Sequence, residues 1–305
     1  MKIVIAVGGN AMQQPGQVGT HEVQYENVRT ASESIAKIIA LGHDVILTSG
    51  NGPQVGAILL QNQNSASISP EMPLFCCGAM SQGLIGYWMT QCMRNVLGLD
   101  KNIVCTLTQT IVDINDPAFE NPTKPVGRFY SKEEADKLIS EGKKVKEDAG
   151  RGYRVVVPSP RPQKILETAV IKQLSDSGAL VICTNGGGVP VIEKAGQIAG
   201  VDAVIDKDLA TSLLARDLKA DVLMILTDVT NACINYKQPN ETQIGKISYE
   251  KMLALQAEGH FKAGSMGPKV AAALEFANFG GKAIITSLND AVKALEGQVG
   301  TIIAK

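Results

Sequence analysis

The sequence is poor in the residues that build metal centres and disulfide frameworks. Its 305 residues include three histidines and six cysteines, and no two cysteines form a C-x-x-C pair. Zinc sites need closely spaced cysteine and histidine ligands, so a zinc-binding protein is disfavoured. We interpret the cysteines as reduced side chains of a cytoplasmic protein.

The sequence also lacks an excess of charge and any long apolar run. Its formal net charge of -1 gives no electrostatic basis for binding nucleic acid or an anionic membrane. The apolar segment at residues 3–7 is too short for a signal peptide, and no apolar run has the length of a membrane span. We therefore expect neither a nucleic-acid partner nor a membrane partner.

Several common catalytic motifs are missing. The sequence has no G-x-G-x-x-G, no Walker G-x-x-x-x-G-K-[ST], no protein-kinase H-R-D set and no G-x-S-x-G. These absences disfavour a Rossmann dehydrogenase, a P-loop NTPase, a protein kinase and a serine hydrolase.

One stretch of the sequence, residues 200–215, contains an unusual lysine. The pattern predicts a short strand at 203–205, an N-cap at Asp206 and a helix that starts at Lys207. A helix N-terminus carries partial positive charge, so Lys207 is unfavourable there unless an anion binds. Asp208 could hold its ammonium group. Taken alone, this pattern fits a solvated lysine equally well.

A second helix start repeats the feature. Gly264-Ser-Met-Gly-Pro-Lys269 precedes a predicted helix to about residue 279, with Pro268 at its first position and Lys269 in its first turn. Two lysines at two helix starts indicate a polyphosphate bound between them.

Glycine clusters follow three predicted strands, at 2–7, 45–48 and 179–184. They contain Gly8 and Gly9, Gly50 and Gly52, and residues 186–188. Glycines let main-chain amides approach a ligand, and the carboxyl ends of parallel strands share one sheet edge. Thr227 and Asp228, after a strand at 222–226, would lie on the same edge. Amide donors combined with lysines suit phosphoryl transfer.

Other segments complete an α/β pattern. We predict helices at 22–41, from residue 80, at 163–177 and at 249–258, and strands at 102–107, 283–287 and 301–304. Gly83 and Gly86 share one helix face, which indicates close packing against a helix or a second subunit.

The segment 113–160 differs in composition from the rest. It has 18 charged residues among 48, nine of each sign, and is bounded by prolines. It includes a capping box from Ser131 to Glu134. We predict a protruding lid subdomain that supplies cations, with Lys124, Arg151 and Arg154 as candidates, although a simple surface insertion would show the same composition.

Seven segments together resemble the carbamate kinases, a branch of the amino acid kinase superfamily. They occur in the same order along most of the chain. They are Gly-Gly-Asn-Ala (8–11), Ser-Gly-Asn-Gly-Pro-Gln-Val-Gly (49–56), Ser-Gln-Gly-Leu-Ile-Gly-Tyr (81–87), Asp-Pro-Ala-Phe-Glu-Asn-Pro-Thr-Lys-Pro-Val-Gly (116–127), Arg-Val-Val-Val-Pro-Ser-Pro (154–160), Val-Ile-Asp-Lys-Asp-Leu-Ala (204–210) and Gly-Ser-Met-Gly-Pro-Lys (264–269). The fourth and seventh segments separate this branch from acetylglutamate, aspartate and UMP kinases.

The resemblance implies a three-layer α/β/α sandwich with a mostly parallel central sheet of about eight strands and a protruding lid subdomain at 113–160. The single domain, 1–305, would have an acceptor-side lobe (1–200) and a nucleotide-side lobe (201–305). The resemblance also implies a homodimer. The implied reaction is the reversible conversion of carbamoyl phosphate and ADP to carbamate and ATP with Mg2+. In the cell it would form ATP at the end of arginine or other carbamoyl-yielding catabolism.

The resemblance also assigns roles to residues. Catalysis is assigned to Lys207, Lys269, Asp208, Lys124, Asn10 and Gly9. Lys207 and Lys269 would contact the transferring phosphoryl group, and Asp208 would orient both lysines. Substrate binding is assigned to Gly8, Gly9, Asn10, Gly50, Asn51, Gly52 and Lys124. Nucleotide binding is assigned to Gly187, Lys207, Thr227, Asp228, Tyr236, Met266 and Lys269. No protein residue is expected to ligate the Mg2+ ion directly.

Two residues depart from the family pattern. Many relatives have histidine at the position of Ser49, and many have a small residue or proline at the position of Arg128. Neither change removes a charge that we assign to the chemistry. There are two alternative functions. One is a kinase for another small carboxylic acid, and the other is a non-catalytic sensor of carbamoyl phosphate or nucleotide.

Overall fold

The computed structural model describes residues 1–14, 16–148, 152–262 and 264–305, and for Asn10 it describes the main chain alone. The helices in this part of the chain are α1 (His21–Ala40), α2 (Gly52–Ser65), α3 (Leu74–Leu97), α4 (Pro117–Glu120), α5 (Lys132–Ser140), α6 (Thr168–Asp176), α7 (Lys207–Asp217), α8 (Tyr249–Ala257), α9 (Met266–Asn278) and α10 (Ala291–Leu295). Short 3-10 helices lie at Gly9–Ala11 and Asn185–Gly187.

The strands in the described residues are β1 (Lys2–Val7), β2 (Asp44–Ser49), β3 (Ile103–Cys105), β4 (Gln109–Val112), β5 (Lys124–Tyr130), β6 (Val145–Glu147), β7 (Tyr153–Val157), β8 (Pro162–Ile165), β9 (Leu180–Ile182), β10 (Val189–Lys194), β11 (Gln197–Gly200), β12 (Val222–Thr227), β13 (Cys233–Ile234), β14 (Thr242–Gln243), β15 (Lys246–Ser248), β16 (Lys282–Ser287) and β17 (Thr301–Ala304).

Eight of these strands form the central sheet, in the order β15-β17-β16-β12-β1-β2-β9-β3. All neighbouring pairs are parallel except β16 and β17. Alternate residues of β1 point to opposite faces, as a strand requires. Val4 and Ala6 pack in one hydrophobic core with residues of α7 and α9, and Ile3 and Ile5 pack in another with residues of α1 and α3. The predicted three-layer α/β/α sandwich is confirmed.

Besides the two-stranded pair of β13 and β14, two smaller sheets lie outside the central one. One has the order β11-β10-β4-β8 and the other the order β5-β7-β6. The second sheet and α5 use residues 124–157 of the charged segment 113–160, and the capping box of Ser131 and Glu134 is present at the start of α5. That this segment moves as a lid stays a prediction, as does the division into two lobes at residue 200.

Two predicted element types were wrong. Residues 203–205 form no strand, although Val204 donates a main-chain hydrogen bond to Pro158. The predicted helix at 163–177 begins only at Thr168, because Pro162–Ile165 pairs with β4 as strand β8. Pairing with a distant strand outweighed the local helical pattern in that segment.

Two predicted helix starts were also misplaced. Helix α3 begins at Leu74 and not near residue 80, since Leu74 and Cys77 are buried in a small core with Val55 of α2. Helix α9 begins at Met266, so Pro268 is its third residue. Proline is tolerated there because the first-turn N–H groups of a helix have no partner within the helix.

The two glycines of α3 that were predicted to pack closely, Gly83 and Gly86, have different surroundings. A Cβ atom on Gly86 would lie 2.2 Å from Sγ of Cys105, so this glycine lets α3 pack against β3 of the same chain. A Cβ on Gly83 would meet no atom within 4 Å. None of the described helices contains an apolar run long enough to cross a membrane.

Candidate active site

The ends of β1, β2 and β12 bring two glycine turns together at one edge of the central sheet. The amide of Gly50 donates to the carbonyl of Val7 over 3.1 Å. A Cβ on Gly8 would lie 2.8 Å from the carbonyl oxygen of Leu226, and a Cβ on Gly50 would lie 3.5 Å from the nitrogen of Gly9. Side chains at Gly8 or Gly50 would therefore crowd this edge, which is where α/β proteins bind ligands.

Helix α7 starts beside this edge. Asp206 caps it, since its Oδ1 accepts from the amides of Asp208 at 2.9 Å and Leu209 at 3.4 Å. The hydroxyl of Thr211 donates to the carbonyl of Lys207 and lies 2.6 Å from the hydroxyl of Thr48 at the end of β2. These contacts hold the first turn of α7 against β2. The predicted N-cap at Asp206 and the helix start at Lys207 are confirmed.

Lys207, Asp208 and Lys269 form a buried cluster. The ammonium of Lys207 donates to Oδ1 of Asp208, and the ammonium of Lys269 donates to Oδ2 of the same carboxylate over 3.0 Å. The side chains of Lys207, Asp208 and Lys269 are 12%, 4% and 17% exposed. Two ammonium groups share one carboxylate, so the cluster carries one excess positive charge beside the N-terminus of α7. Such a place favours an anion.

Burial and charge act in opposite directions on these groups. Burial lowers the pKa of Lys207, while the carboxylate of Asp208 raises it. Burial would raise the pKa of Asp208, but the two lysines outweigh it and hold this pKa well below its usual value. Asp208 is therefore ionised at neutral pH. Its carboxylate is the counter-ion of the two lysines in a site that contains little water.

Lys124 also contacts the start of α7, through Asp206. It is the first residue of β5, and its Nζ lies 2.9 Å from Oδ2 of Asp206. Its side chain is 37% exposed, whereas that of Asp206 is 13% exposed. The ion pair joins the small sheet of segment 113–160 to the N-terminus of α7.

The loop after β2 is held by polar contacts that the sequence did not reveal. Ser49 is fully buried and donates to Oδ1 of Asn185 over 2.8 Å. The amide group of Asn51 donates to Ser81 over 2.8 Å and lies against Gly186. Asn51 therefore does not cap α2, whose N-terminus begins at Gly52 in the same loop. The N-terminus of α2 thus has no side-chain cap from Asn51.

Two cavities open around Lys269. One of about 620 Å³ is lined by residues that include Gly8, Gly9, Thr227, Asp228 and Lys269. The other, of about 510 Å³, is lined by residues that include Thr227, Asp228, Tyr236, Met266 and Lys269. The shared residues place Gly8 and Gly9, two of the predicted substrate-binding glycines, on a space that adjoins the one lined by Tyr236 and Met266.

Some predicted site residues lie elsewhere or cannot be placed. Gly187 is buried, and a Cβ on it would lie 2.8 Å from the carbonyl of Ile205, so it packs behind the segment that leads to Asp206. The side chain of Asn10 and all of Arg151 lie outside the described residues. Arg154 donates to the carbonyl of Gly127, and Arg128 pairs with Glu134 at the surface.

Comparison with known proteins identifies the family and the fold. The model of the amino acid kinase family matches residues 1–287. A carbamate kinase of Giardia intestinalis is 58% identical over 99% of this chain and 98% of its own sequence, and one of Pyrococcus horikoshii is 54% identical over 98% of each. The structure of Giardia lamblia carbamate kinase bound to AMP-PNP superposes with a TM-score of 0.94 at 59% identity, covering 100% of this chain and 98% of that one.

The fold and the cluster at the sheet edge define an enzyme of the phosphotransferase class, and the chain belongs to the amino acid kinase family. Within that family it belongs to the carbamate kinases.

Proposed function

We propose that this protein transfers a phosphoryl group reversibly between carbamoyl phosphate and ADP, giving carbamate and ATP, and that ATP formation is its role in the cell. One observation carries the proposal. Two lysines from different helices meet on one buried carboxylate beside glycine turns, which leaves positive charge for a transferring phosphoryl group.

In this mechanism Lys207 and Lys269 neutralise the charge that spreads over the oxygens of the phosphoryl group during transfer. Asp208 orients both ammonium groups and contacts no substrate. An oxygen of the ADP β-phosphate forms the new bond to phosphorus as the bond to the carbamate oxygen breaks. Carbamate leaves as an anion, so no side chain has to act as its general acid. Positioning and charge account for the catalysis.

The residues present suit a Mg2+ ion that is held by phosphate oxygens and water. Both oxygens of Asp208 already accept from lysines, so this carboxylate has little capacity left for a metal. Magnesium commonly keeps several waters and binds substrate phosphates. When bound, it would neutralise phosphate charge, and the two lysines would act on the remaining oxygens.

The two cavities suggest where the substrates bind. The cavity that contains Gly8 and Gly9 would take the phosphate and carbamoyl end. Gly50 lies beside Gly9, and it would contact the carbamoyl phosphate together with Asn51, Gly52 and Lys124. The cavity that contains Tyr236 and Met266 would take the nucleoside of ADP. Lys269 borders both spaces, as the transfer requires.

ATP formation from ADP, Mg2+ and carbamoyl phosphate tests this function. The Lys207→Ala variant should stay folded and lose turnover. Lys251→Ala is the matched control, because Lys251 also lies in the first turn of a helix, α8, but is exposed. Normal turnover by Lys207→Ala would refute the assignment, and faster turnover with acetyl phosphate than with carbamoyl phosphate would indicate another acid as acceptor.

We also propose that the protein is a homodimer that pairs along α3 and β3. A surface groove of about 760 Å³ follows these two elements, and the side chains on or near it include Tyr87, Leu99 and Leu107, which are 58%, 81% and 55% exposed. Strand β3 is an edge of the central sheet. Apolar patches next to a sheet edge are typical of protein interfaces.

A further inference from the structure

Asp206 makes two kinds of contact through its two carboxylate oxygens. Oδ1 accepts from the amides of Asp208 and Leu209 at the start of α7. Oδ2 lies 2.9 Å from the ammonium of Lys124. The helix amides fix the orientation of the carboxylate, so the position of Oδ2 is fixed as well.

We propose that Asp206 is a positioning residue that holds the Lys124 ammonium at the anion-binding end of α7, where it receives the small phosphorylated substrate. This inference rests on the proposed function, in which Lys124 contacts carbamoyl phosphate. Asp206 itself touches no substrate.

The chemistry of lysine makes this arrangement compatible with binding. An ammonium group has three N–H donors, and the contact with Asp206 uses one of them. The others stay available for oxygens of a phosphate. A free lysine side chain loses considerable rotamer entropy when it is ordered, and the ion pair with Asp206 meets that cost before the substrate arrives.

The ion pair also connects separate parts of the fold. Lys124 belongs to the sheet β5-β7-β6, whereas Asp206 is bonded to the helix that carries Lys207 and Asp208. Lys124 and Asp206 are 82 positions apart in the sequence. A substrate held by Lys124 is thereby held at a defined distance from Lys207. The position of segment 113–160 relative to α7 therefore affects the geometry of the phosphoryl transfer.

The Asp206→Asn variant separates the two contacts of the residue. Asparagine caps helices as well as aspartate does, so α7 keeps its cap, while the ion pair with Lys124 is lost. The matched control is Asp116→Asn. Asp116 caps α4, and its oxygens accept main-chain N–H groups of Ala118 and Arg161.

Two measurements test the inference. In steady-state assays, Asp206→Asn should raise the KM for carbamoyl phosphate about fivefold and leave the KM for ADP unchanged. In calorimetry with inorganic phosphate, Lys124→Ala should weaken binding about tenfold in the parent and at most about twofold in the Asp206→Asn background. Asp116→Asn should match the parent in both assays.

Equal effects of Lys124→Ala in both backgrounds would overturn the inference, as would tighter phosphate binding by Asp206→Asn. The phosphate measurement needs no turnover. A parent protein that forms no ATP would therefore refute the proposed function, while the binding cycle would still decide the role of Asp206.

Discussion

The ammonium of Lys269 lies 3.0 Å from Oδ2 of Asp208, a residue 61 positions earlier in the chain, and the other oxygen of that carboxylate is taken by Lys207. One buried carboxylate thus aligns cations from two helices. Each lysine alone would be a costly buried charge, whereas together with Asp208 they form a site that still attracts an anion.

Replacing Asp208 by asparagine should damage both catalysis and stability. We expect kcat to fall by about 10² to 10³, since both lysines lose the group that orients them. We also expect the free energy of unfolding to fall by about 3–5 kcal/mol, because two buried ammonium groups lose their counter-ion. Turnover assays and thermal unfolding check these values.

Asp217→Asn is the control for that change. Asp217 is in the last turn of the same helix and pairs with Arg216 near the surface. Such pairs contribute about 0–1 kcal/mol, so turnover and melting temperature should change little. Equal behaviour of the two variants would contradict the central role of Asp208.

The pKa of Lys207 predicts the alkaline limit of activity. Burial lowers this pKa below the ordinary lysine value of about 10.4, so the ammonium loses its proton at a lower pH than usual. Because the proposed reaction needs the charged form, kcat/KM should decline on the alkaline side before pH reaches about 10.4. Initial rates over a pH series, taken before carbamoyl phosphate decomposes, measure this decline.

Unfolding experiments give an independent check on the same group. Between its lowered native pKa and about 10.4, the native state binds fewer protons than the unfolded state at Lys207, so the contribution of this residue to stability rises with pH in that window. Lys207→Arg keeps its charge throughout and should lack this rise. An alkaline limit at or above the ordinary lysine value would show that burial does not perturb Lys207.

Gly50→Ala should slow catalysis with little loss of stability. A Cβ there would lie 3.1 Å from Cδ of Lys207, so the flexible lysine chain has to move. Displacing a catalytic group by a fraction of an ångström lowers rates steeply, and we expect kcat to fall by about tenfold or more. Gly245→Ala, which meets no atom within 4 Å and lies outside the site, is the control. Unchanged kcat in Gly50→Ala would mean that Lys207 tolerates the shift.

The dimer proposal predicts a change of mass in solution. The protein should behave as a particle of twice 32.3 kDa in light scattering. Tyr87→Asp should favour the monomer, because a charge would be buried at the α3 and β3 surface. Ile68→Asp changes another exposed apolar residue, 90% exposed and away from this groove, and should not alter the mass. A monomeric parent protein would refute the proposal.

Local patterns were sufficient for much of the site. Lys207 and Lys269 attract notice in the sequence because a cation at a helix start is unfavourable, and the glycines after β1 and β2 because few other residues suit a close approach. The cap at Asp206 and the capping box of α5 are likewise set by neighbours within three residues. These features depend on short-range interactions, which a sequence displays directly.

Local patterns failed where distant contacts decided the structure. The segment 162–165 became a strand because β4 lies beside it. The close approach of Gly187 to Ile205 also had no local signal, and nucleotide binding by Gly187 stays a prediction. The partner of Lys124 was not predicted, and its only sequence signal was an aspartate next to Lys207. The hydrogen bond of Ser49 to Asn185, 136 positions away, had no local signal at all.

The sequence by itself determined the α/β class and the chemical groups of the site, because helix periodicity, glycine turns and first-turn lysines are local properties of the chain. The family followed from the resemblance of seven ordered motifs to the carbamate kinases. The resemblance implied that Asp208 orients both lysines, and the tertiary structure gives the contacts that do so. Only the tertiary structure decided that Lys124 pairs with Asp206. Those contacts depend on the packing of separate elements, which brings residues tens of positions apart to within 3 Å. Burial then strengthens the electrostatic interactions between these charges, since few water molecules remain to screen them.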